Sequence, residues 1–368
     1  MKILYFSRDY TPHDHRFLAA LAETEHEVYF LRLERRGHAQ EERPLPAGIR
    51  AVKWAGGTRP AMLADGPRLL ASLRRVLKGI RPDVVHAGPI QTCALLAALA
   101  GARPLVSMSW GSDLMLDAEK NKRTLWATRR VFKKSSVLLC DNEAVRARAI
   151  ALGMDAGRVV TFPWGVDLAH FSPEGGDGGL RQRAGWEDCF VILHTRTWEP
   201  VYGVDVMARG FALAASQRDD LRLLMPGNGS LAGRIKQILM GAGVIDWVRF
   251  AGQVRYEELP QVYRSADLYV SSSHSDGSSV SLMEALACGV PALVSYIPGN
   301  REWVTPDVGW QFRDGDAEAL ARGILHAAEG RDMLKKMGAA ARAKAEQKAN
   351  WETNFKTLLG AYEQGTQK

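Results

Sequence analysis

Short apolar runs rich in β-branched and aromatic residues alternate with amphipathic stretches of ten or more residues along almost the whole chain. That alternation predicts strands and helices in succession, as parallel sheets flanked by helices require. The strand-like runs fall at 2–7, 27–33, 83–88, 104–109, 135–140 and 158–163, then at 190–195, 221–226, 248–252, 267–273, 291–295 and 309–312. Helical periodicity covers 66–79, 120–134, 204–217, 230–241 and 280–288. The pattern is that of an α/β protein built from two Rossmann-like, doubly wound parallel-sheet domains. The stretch PEGGDGGLRQRAG (173–185), with five glycines in a polar setting, predicts the linker between them. The expected division is a first domain over 1–172, the linker over 173–185, a second domain over 186–345, and a C-terminal helix over 346–368 packing back on the first domain. Trp351, Phe355, Leu358 and Leu359 give that helix its apolar stripe. Ligands of such sheets sit beyond the carboxyl ends of the strands, so a cleft between the domains is the expected site.

Length and charge sharpen this picture. The chain has 368 residues, more than one ordinary core accommodates. Its apolar runs fall well short of the ~20 residues needed to span a bilayer, and Met1 leads straight into a strand-like segment instead of a signal peptide. Cys93, Cys140, Cys189 and Cys288 are widely spaced and fit no zinc motif, so they read as reduced thiols of a cytoplasmic protein. The net charge of +7 is uneven. Residues 1–170 hold 26 Lys/Arg against 17 Asp/Glu, and residues 171–368 hold 22 against 24. An excess confined to one half points to an anionic partner for that half.

The segment YVSSSHSDGSSVSLMEALACGVPALVS (269–295) carries the most chemistry. A buried strand ends in a polar loop, Ser273 to Ser279, and a helix starts near Val280. The backbone N–H groups of Ser278, Ser279 and Val280 then lie at a helix N-terminus, a ready phosphate site. Asp276 precedes the helix and Glu284 follows eight positions on. As a pair they can accept hydrogen bonds from sugar hydroxyls; alternatively Asp276 caps the helix and Glu284 is solvated. In the first half, the loop SRDYTPHDHRFL (7–18) places His13, Asp14, His15 and Arg16 after a strand, either at the cleft or as loop solvation. Segment 119–134 interleaves Lys and Arg with Leu125, Trp126, Val131 and Phe132. It reads either as a docking helix for an anionic membrane surface or as a solvated face over a helix core. No nucleic-acid reader module accompanies the charge. In DGD (314–316), Asp316 reads as a helix cap rather than a metal ligand. GAGVID (241–246) follows a helix and precedes a strand, so its glycines end the helix rather than bind a dinucleotide.

These motifs, in this order, resemble the family 4 retaining glycosyltransferases, whose architecture is GT-B. RPDVVHAG (81–88) is similar to the family's first-domain strand motif and FPWGVDLAHFSP (162–173) to its NGVD segment. LHTRTWEPVYG (193–203) resembles the GR-x5-KG loop, LMPGNGSL (224–231) the GxGP loop, and DGSSVSLME (276–284) the Glu-x7-Glu signature. The resemblance implies that Arg196, Asp276 and Glu284 carry the chemistry. Arg196 would pair with the diphosphate, Asp276 would face the donor sugar, and Glu284 would hold the ribose. Gly277, Ser278, Ser279, Val280, Gly227, Gly229 and Tyr202 would line the donor site, with Trp110 and Asp113 of WGSD (110–113) joining His13 to Arg16 on the acceptor side. It further implies a hexosyl transfer from a UDP- or GDP-sugar to an acceptor hydroxyl on a glycan or lipid-linked intermediate. The nucleotide sugar is a co-substrate, with no other cofactor and no metal, in a cytoplasmic protein peripheral to the membrane. Three positions depart from the family: Asp276 stands for Glu, Tyr202 for the diphosphate-binding Lys, and Trp110 for the His of HG-x-D. An epimerase on the same fold, or a degenerate scaffold motivated by Tyr202 and Trp110, is the alternative.

Overall fold

The computed structural model describes residues 1–35 and 41–367. The chain forms two compact units, Met1–Phe162 with Phe355–Lys368, and Pro163–Asn354. Among the described residues, the first unit holds strands β1 (Lys2–Ser7), β2 (Glu27–Arg32), β3 (Arg50–Ala51), β4 (Val84–Ala87), β5 (Leu105–Met108), β6 (Val137–Cys140) and β7 (Val159–Thr161). They lie in the order β3-β2-β1-β4-β5-β6-β7, with neighbours parallel throughout. Strands β4, β5 and β6 are buried at every position, because helices cover both faces of the sheet. Helices α1 (Pro12–Ala22), α2 (Gly66–Ile80), α3 (Leu95–Ala100), α4 (Lys122–Lys134) and α5 (Glu143–Ala151) complete the crossovers. Of these, α2 to α5 pack on one face around Leu73, Ala97, Phe132 and Val145.

The second unit repeats the design. Its strands are β8 (Phe190–Leu193), β9 (Leu221–Pro226), β10 (Val248–Gly252), β11 (Leu268–Ser271), β12 (Ala292–Ser295) and β13 (Gly309–Phe312), in the parallel order β10-β9-β8-β11-β12-β13. Its helices are α6 (Leu180–Ala184), α7 (Val204–Ala215), α8 (Ala232–Gly241), α9 (Leu259–Arg264), α10 (Val280–Ala287), α11 (Pro298–Arg301), α12 (Ala317–Glu329) and α13 (Arg331–Lys348), while α14 (Trp351–Thr366) starts in this unit and runs on into the first. One core packs α7, α8 and α12 on one face of the sheet, and a second packs α9, α10 and α13 on the other. In both sheets the strand order reverses beside the first strand of the unit, β1 or β8, and in doubly wound folds ligands bind at that reversal. No helix among the described residues is long and apolar enough to cross a membrane.

Two expectations about organisation change. The chain passes between units at Phe162–Pro163, not across 173–185. That glycine-rich stretch is an ordered part of the second unit. The Asp177 carboxylate accepts from the N–H groups of Gly179 and Arg181, both at 2.9 Å, and Arg264 Nε donates to the Gly176 carbonyl at 2.9 Å. Its glycines serve tight turns rather than flexibility, with Gly175, Gly178, Gly179 and Gly185 all at positive φ. The boundary at residue 346 also moves. Residues up to Asn354 belong to the second unit and Phe355 onward to the first, where the buried Tyr362 hydroxyl lies 2.6 Å from His86 Nδ1. The break between α13 and α14 has a cause. Val166 inserts there, donating to the Ala349 carbonyl at 2.7 Å and accepting from the Trp351 N–H at 3.1 Å.

Candidate active site

The loops that follow β8 and β11 converge in the second unit. Arg196, three residues past β8, reaches Asp276 in the loop after β11, with Nη2 to Oδ2 at 2.8 Å. Its Nη1 donates to the hydroxyls of Ser279 and Ser281 at 3.2 and 3.3 Å. The guanidinium carbon stands 4.1 Å from the centroid of the Tyr202 ring, a cation–π contact. Only 14% of the Arg196 side chain and 15% of that of Asp276 reach solvent, so the pair is weakly screened. Burial pushes the Asp276 carboxyl above its ordinary value, and Arg196, the Gly277 N–H and Ser279 pull it partly back. Burial opposes the charge on Arg196, but the Asp276 carboxylate and the Tyr202, Tyr269 and Tyr263 hydroxyls together outweigh it and hold that guanidinium charged.

Helix α10 begins beside this pair. Its cap is Ser279, whose side chain accepts from the Leu282 N–H. Asp276 is therefore not the cap, and the capping alternative is overturned. The first-turn N–H groups, that of Val280 included, have no partner inside the helix and present the positive end of its dipole. Glu284 lies one turn further on and accepts from the Tyr263 hydroxyl at 2.7 Å. It is not a plain solvated side chain either, because burial and the Glu284 charge together hold the Tyr263 phenol well above its ordinary range. Gly277 donates its N–H to the Asp276 carboxylate at 3.0 Å. The Ser278 hydroxyl faces inward, 3.4 Å from the Trp303 indole nitrogen, so only its backbone remains for a ligand.

Two glycines hold these loops in register. Gly203 sits at φ +57°, and a Cβ there would meet the Ser272 carbonyl at 2.1 Å, so the Arg196–Tyr202 loop can lie against the end of β11 only with glycine at its close. A Cβ on Gly229 would meet the Trp198 carbonyl at 2.4 Å. The Gly227 N–H donates to the Gly252 carbonyl at 2.6 Å, and Ser230 bonds to Glu199 through its N–H and its hydroxyl. Of the two predicted donor-site glycines, Gly229 lets the 227–231 loop lie against the loop bearing Arg196, and Gly227 ties it to the end of β10.

The first-unit candidates separate into two groups. Asp14 is fully buried. Its carboxylate accepts from the Thr11 N–H and hydroxyl at 2.9 and 2.5 Å and from the Tyr5 hydroxyl at 3.1 Å, closing a capping box at the start of α1. Burial raises it to about 6, against the opposing hydrogen bonds. Asp113 is also buried. It accepts from the N–H groups of Ile90 and Trp110 at 2.9 and 3.0 Å and from the Ser109 hydroxyl at 2.6 Å. Both were expected at the acceptor side; both turn inward and hold their own loops, because a short carboxylate near unpaired backbone N–H groups satisfies those first. His15 Nδ1 lies 2.7 Å from the Tyr10 hydroxyl, and Arg16 is half-buried on the same helix. His13 and Trp110 meet edge to face at 5.7 Å, both half-buried, at the ends of β1 and β5.

The remaining motifs resolve locally. Asp316 caps α12 through the Ala319 N–H at 2.8 Å, and Asp314 lies 2.7 Å from His274 Nδ1. Gly243, at φ +71°, follows the end of α8. No group of three or more His, Cys, Asp or Glu among the described residues could hold a metal ion. All four cysteines are buried and free. In the 119–134 segment, Val131 and Phe132 are core residues and Leu125 packs on the core, while Trp126 is 56% exposed among the cations. Sequence reasoning passed over Tyr263 and Ser281. Ser281 was legible as a hydroxyl two residues after the cap, whereas Tyr263 comes from a different helix and carries no local signal.

Residues 13–170 match a family model described as Glycosyltransferase Family 4, and residues 180–344 match one described as Glycosyl transferases group 1. A D-inositol 3-phosphate glycosyltransferase of Geodermatophilus obscurus is 30% identical over 61% of this chain and 52% of its own length. The chain thus spans about half the length of that relative. A GDP-mannose-dependent monoacylated α-(1-6)-phosphatidylinositol monomannoside mannosyltransferase of Corynebacterium glutamicum is 24% identical over 82% of this chain and 80% of its own. The structure of HepE from Anabaena in complex with UDP-glucose superposes with a TM-score of 0.81 over 99% of both chains at 19% identity, a likeness of fold.

Proposed function

Because this chain is a family 4-like glycosyltransferase of the GT-B fold, we propose that it moves a hexosyl unit from a nucleoside diphosphate sugar to an acceptor hydroxyl on a glycan or lipid-linked intermediate, with retention of anomeric configuration. The observation that carries this reading is the Arg196–Asp276–Ser279 cluster at the first turn of α10, with Glu284 on the same helix. In this reading Arg196 and the helix N–H groups hold the diphosphate and take up the charge that develops as it departs, a term often large in such reactions. Asp276 receives the sugar hydroxyls and Glu284 the ribose. No protein nucleophile takes part; the departing phosphate accepts the proton of the incoming hydroxyl on the same face. That charge handling makes the reaction metal-independent.

The donor base is a choice between UDP and GDP. The HepE neighbour is described with UDP-glucose and the mannosyltransferase relative as GDP-mannose-dependent. A lipid-linked acceptor is supported by the surface of the first unit. Helices α2, α3 and α4 pack side by side and contain no Asp or Glu. Positive charge is crowded there, and Arg103 and Arg130 depress the Lys134 ammonium below its ordinary value. Exposed Trp126 lies in this layer, which suits a cytoplasmic protein docked peripherally on anionic lipid.

Calorimetry with UDP, GDP, UDP-glucose and GDP-mannose tests the donor site. One base is expected to bind at micromolar affinity, with the signal lost in Glu284→Ala. Turnover of the sugar nucleotide without any acceptor, beyond slow hydrolysis, would instead mark an epimerase. Absence of binding by all four would favour a degenerate scaffold.

A further inference from the structure

The donor-site reading leaves one unusual feature at Arg196. Both terminal nitrogens and one face of its guanidinium are already engaged by the surrounding loops, while among the described residues its buried Nε has no hydrogen-bond partner. Asp276 takes Nη2 at 2.8 Å, Ser279 and Ser281 take Nη1, and the Tyr202 ring covers one face at 4.1 Å. The charges of Arg196 and Asp276 cancel each other where little solvent reaches them. Tyr202 stands where the motif resemblance expects a lysine, so this corner holds a neutral ring instead of a second cation. A diphosphate arriving here meets one guanidinium, and that guanidinium has a carboxylate on it. Two anions cannot both be fully paired with a single buried cation. The one displaced needs new hydrogen-bond donors, since an unpaired buried carboxylate is costly.

We propose that Asp276 and the donor diphosphate compete for the Arg196 guanidinium, and that Asp276 thereby makes the site prefer a sugar-loaded nucleotide over the free nucleoside diphosphate. When the sugar is present, its hydroxyls supply the donors that Asp276 loses on leaving Arg196. When the nucleotide arrives bare, or remains after transfer, nothing replaces them and Asp276 draws Arg196 back. Tyr202 is a positioning residue in this scheme. Its ring holds the guanidinium between the two anions without adding a charge that would end the competition. The outcome is a site that releases its nucleotide product readily. This inference rests on the donor-site reading above.

The test is calorimetry on the full chain with UDP, GDP, UDP-glucose and GDP-mannose, comparing wild type with Asp276→Asn and Tyr202→Lys. Asp276→Asn keeps the shape and removes the competing charge. The free diphosphate of the preferred base is expected to bind this variant about tenfold more tightly than wild type, the scale of one charge-assisted contact. The sugar nucleotide is expected to show no such gain, so the preference for the loaded donor collapses. Tyr202→Lys supplies a second cation with Asp276 intact and is expected to tighten the free diphosphate as well. Adding Asp276→Asn to Tyr202→Lys then gains little more. Unchanged or weaker binding of the free diphosphate in both single variants, with wild type binding normally, would overturn the competition and leave the donor site standing. Wild type that binds none of the four nucleotides would overturn the donor-site reading, and this inference with it.

Discussion

The two units carry the same fold and put opposite chemistry at matching strand ends. In the second unit, charged groups beyond β8 and β11 meet one another across loops: Arg196 with Asp276, and Tyr263 with Glu284. In the first unit, the carboxylates beyond β1 and β5 are spent on their own backbone. Asp14 closes the start of α1 and Asp113 ties Ile90 to Trp110, leaving the half-buried His13 and Trp110 rings beside them. Asp14 and Asp113 are both filled by backbone N–H groups and hydroxyls, whereas Asp276 accepts one backbone N–H, from Gly277, and turns its other oxygen to the distant Arg196 guanidinium. The comparison therefore predicts that acids of the first unit govern stability and those of the second govern nucleotide binding.

The largest expected effect lies in the second unit. Replacing the pair together, Arg196→Ala with Asp276→Asn, removes the cation from the proposed diphosphate site without leaving a buried carboxylate unpaired, and is expected to lower donor turnover by ~10²–10³-fold while leaving the melting temperature within a few degrees of wild type. A variant that melts early instead would make the pair structural and erase the contrast. Next comes Asp113→Ala, which strands two backbone N–H groups and a hydroxyl in a buried site. A loss of roughly 3 kcal/mol of stability is expected by denaturant titration, with nucleotide affinity in calorimetry unchanged.

The pH response of Asp14 sharpens the same distinction. Its carboxyl rises from 3.8 in the unfolded chain to about 6 in the folded protein, mainly through burial. The folded state therefore binds the proton more tightly. The stabilising contribution is complete below pH 3.8 and is lost as pH rises to about 6, for a total near ~3 kcal/mol. Unfolding free energies measured between pH 4 and 7 should fall by about this much more in wild type than in Asp14→Asn. Parallel curves would show that Asp14 ionises freely in the fold. The smallest effect is expected from Trp110→Ala. With an acceptor that supports turnover, its KM should rise several-fold while nucleotide affinity stays constant, because the ring belongs to the first unit's loops. A change in nucleotide affinity alone would move Trp110 to the donor side.

Much of the fold was legible. Parallel strands buried on both faces show as unbroken apolar runs such as SSVLLC (135–140) and FVILHT (190–195), and helices between them follow from periodicity. The two-residue β3 was not, since Arg50 and Ala51 are exposed and carry no pattern. The glycine-rich 173–185 stretch misled because glycine marks both flexible chain and tight turns, and only the bonds from Asp177 and Arg264 distinguish them. In the site, the order of motifs pointed to Arg196, Asp276 and Glu284, and the local signals at 273–280 located the helix start. Which acids turn inward onto backbone N–H groups and which meet a distant cation was not legible, because Asp14 and Asp276 look alike on paper.

By itself, then, the sequence determined the alternation of elements, the doubly wound class and the loops that bear the chemistry, all of which depend on local periodicity and short-range backbone preference. Tertiary structure alone decided the pairings. Arg196 meets Asp276 across eighty positions of chain, Tyr263 meets Glu284 from another helix, and Tyr202 lies on a guanidinium where a lysine was expected. The physical reason is that a charged side chain's role is set by the nearest partner in space and by how much water is left around it. Neither quantity is written in any single stretch of sequence.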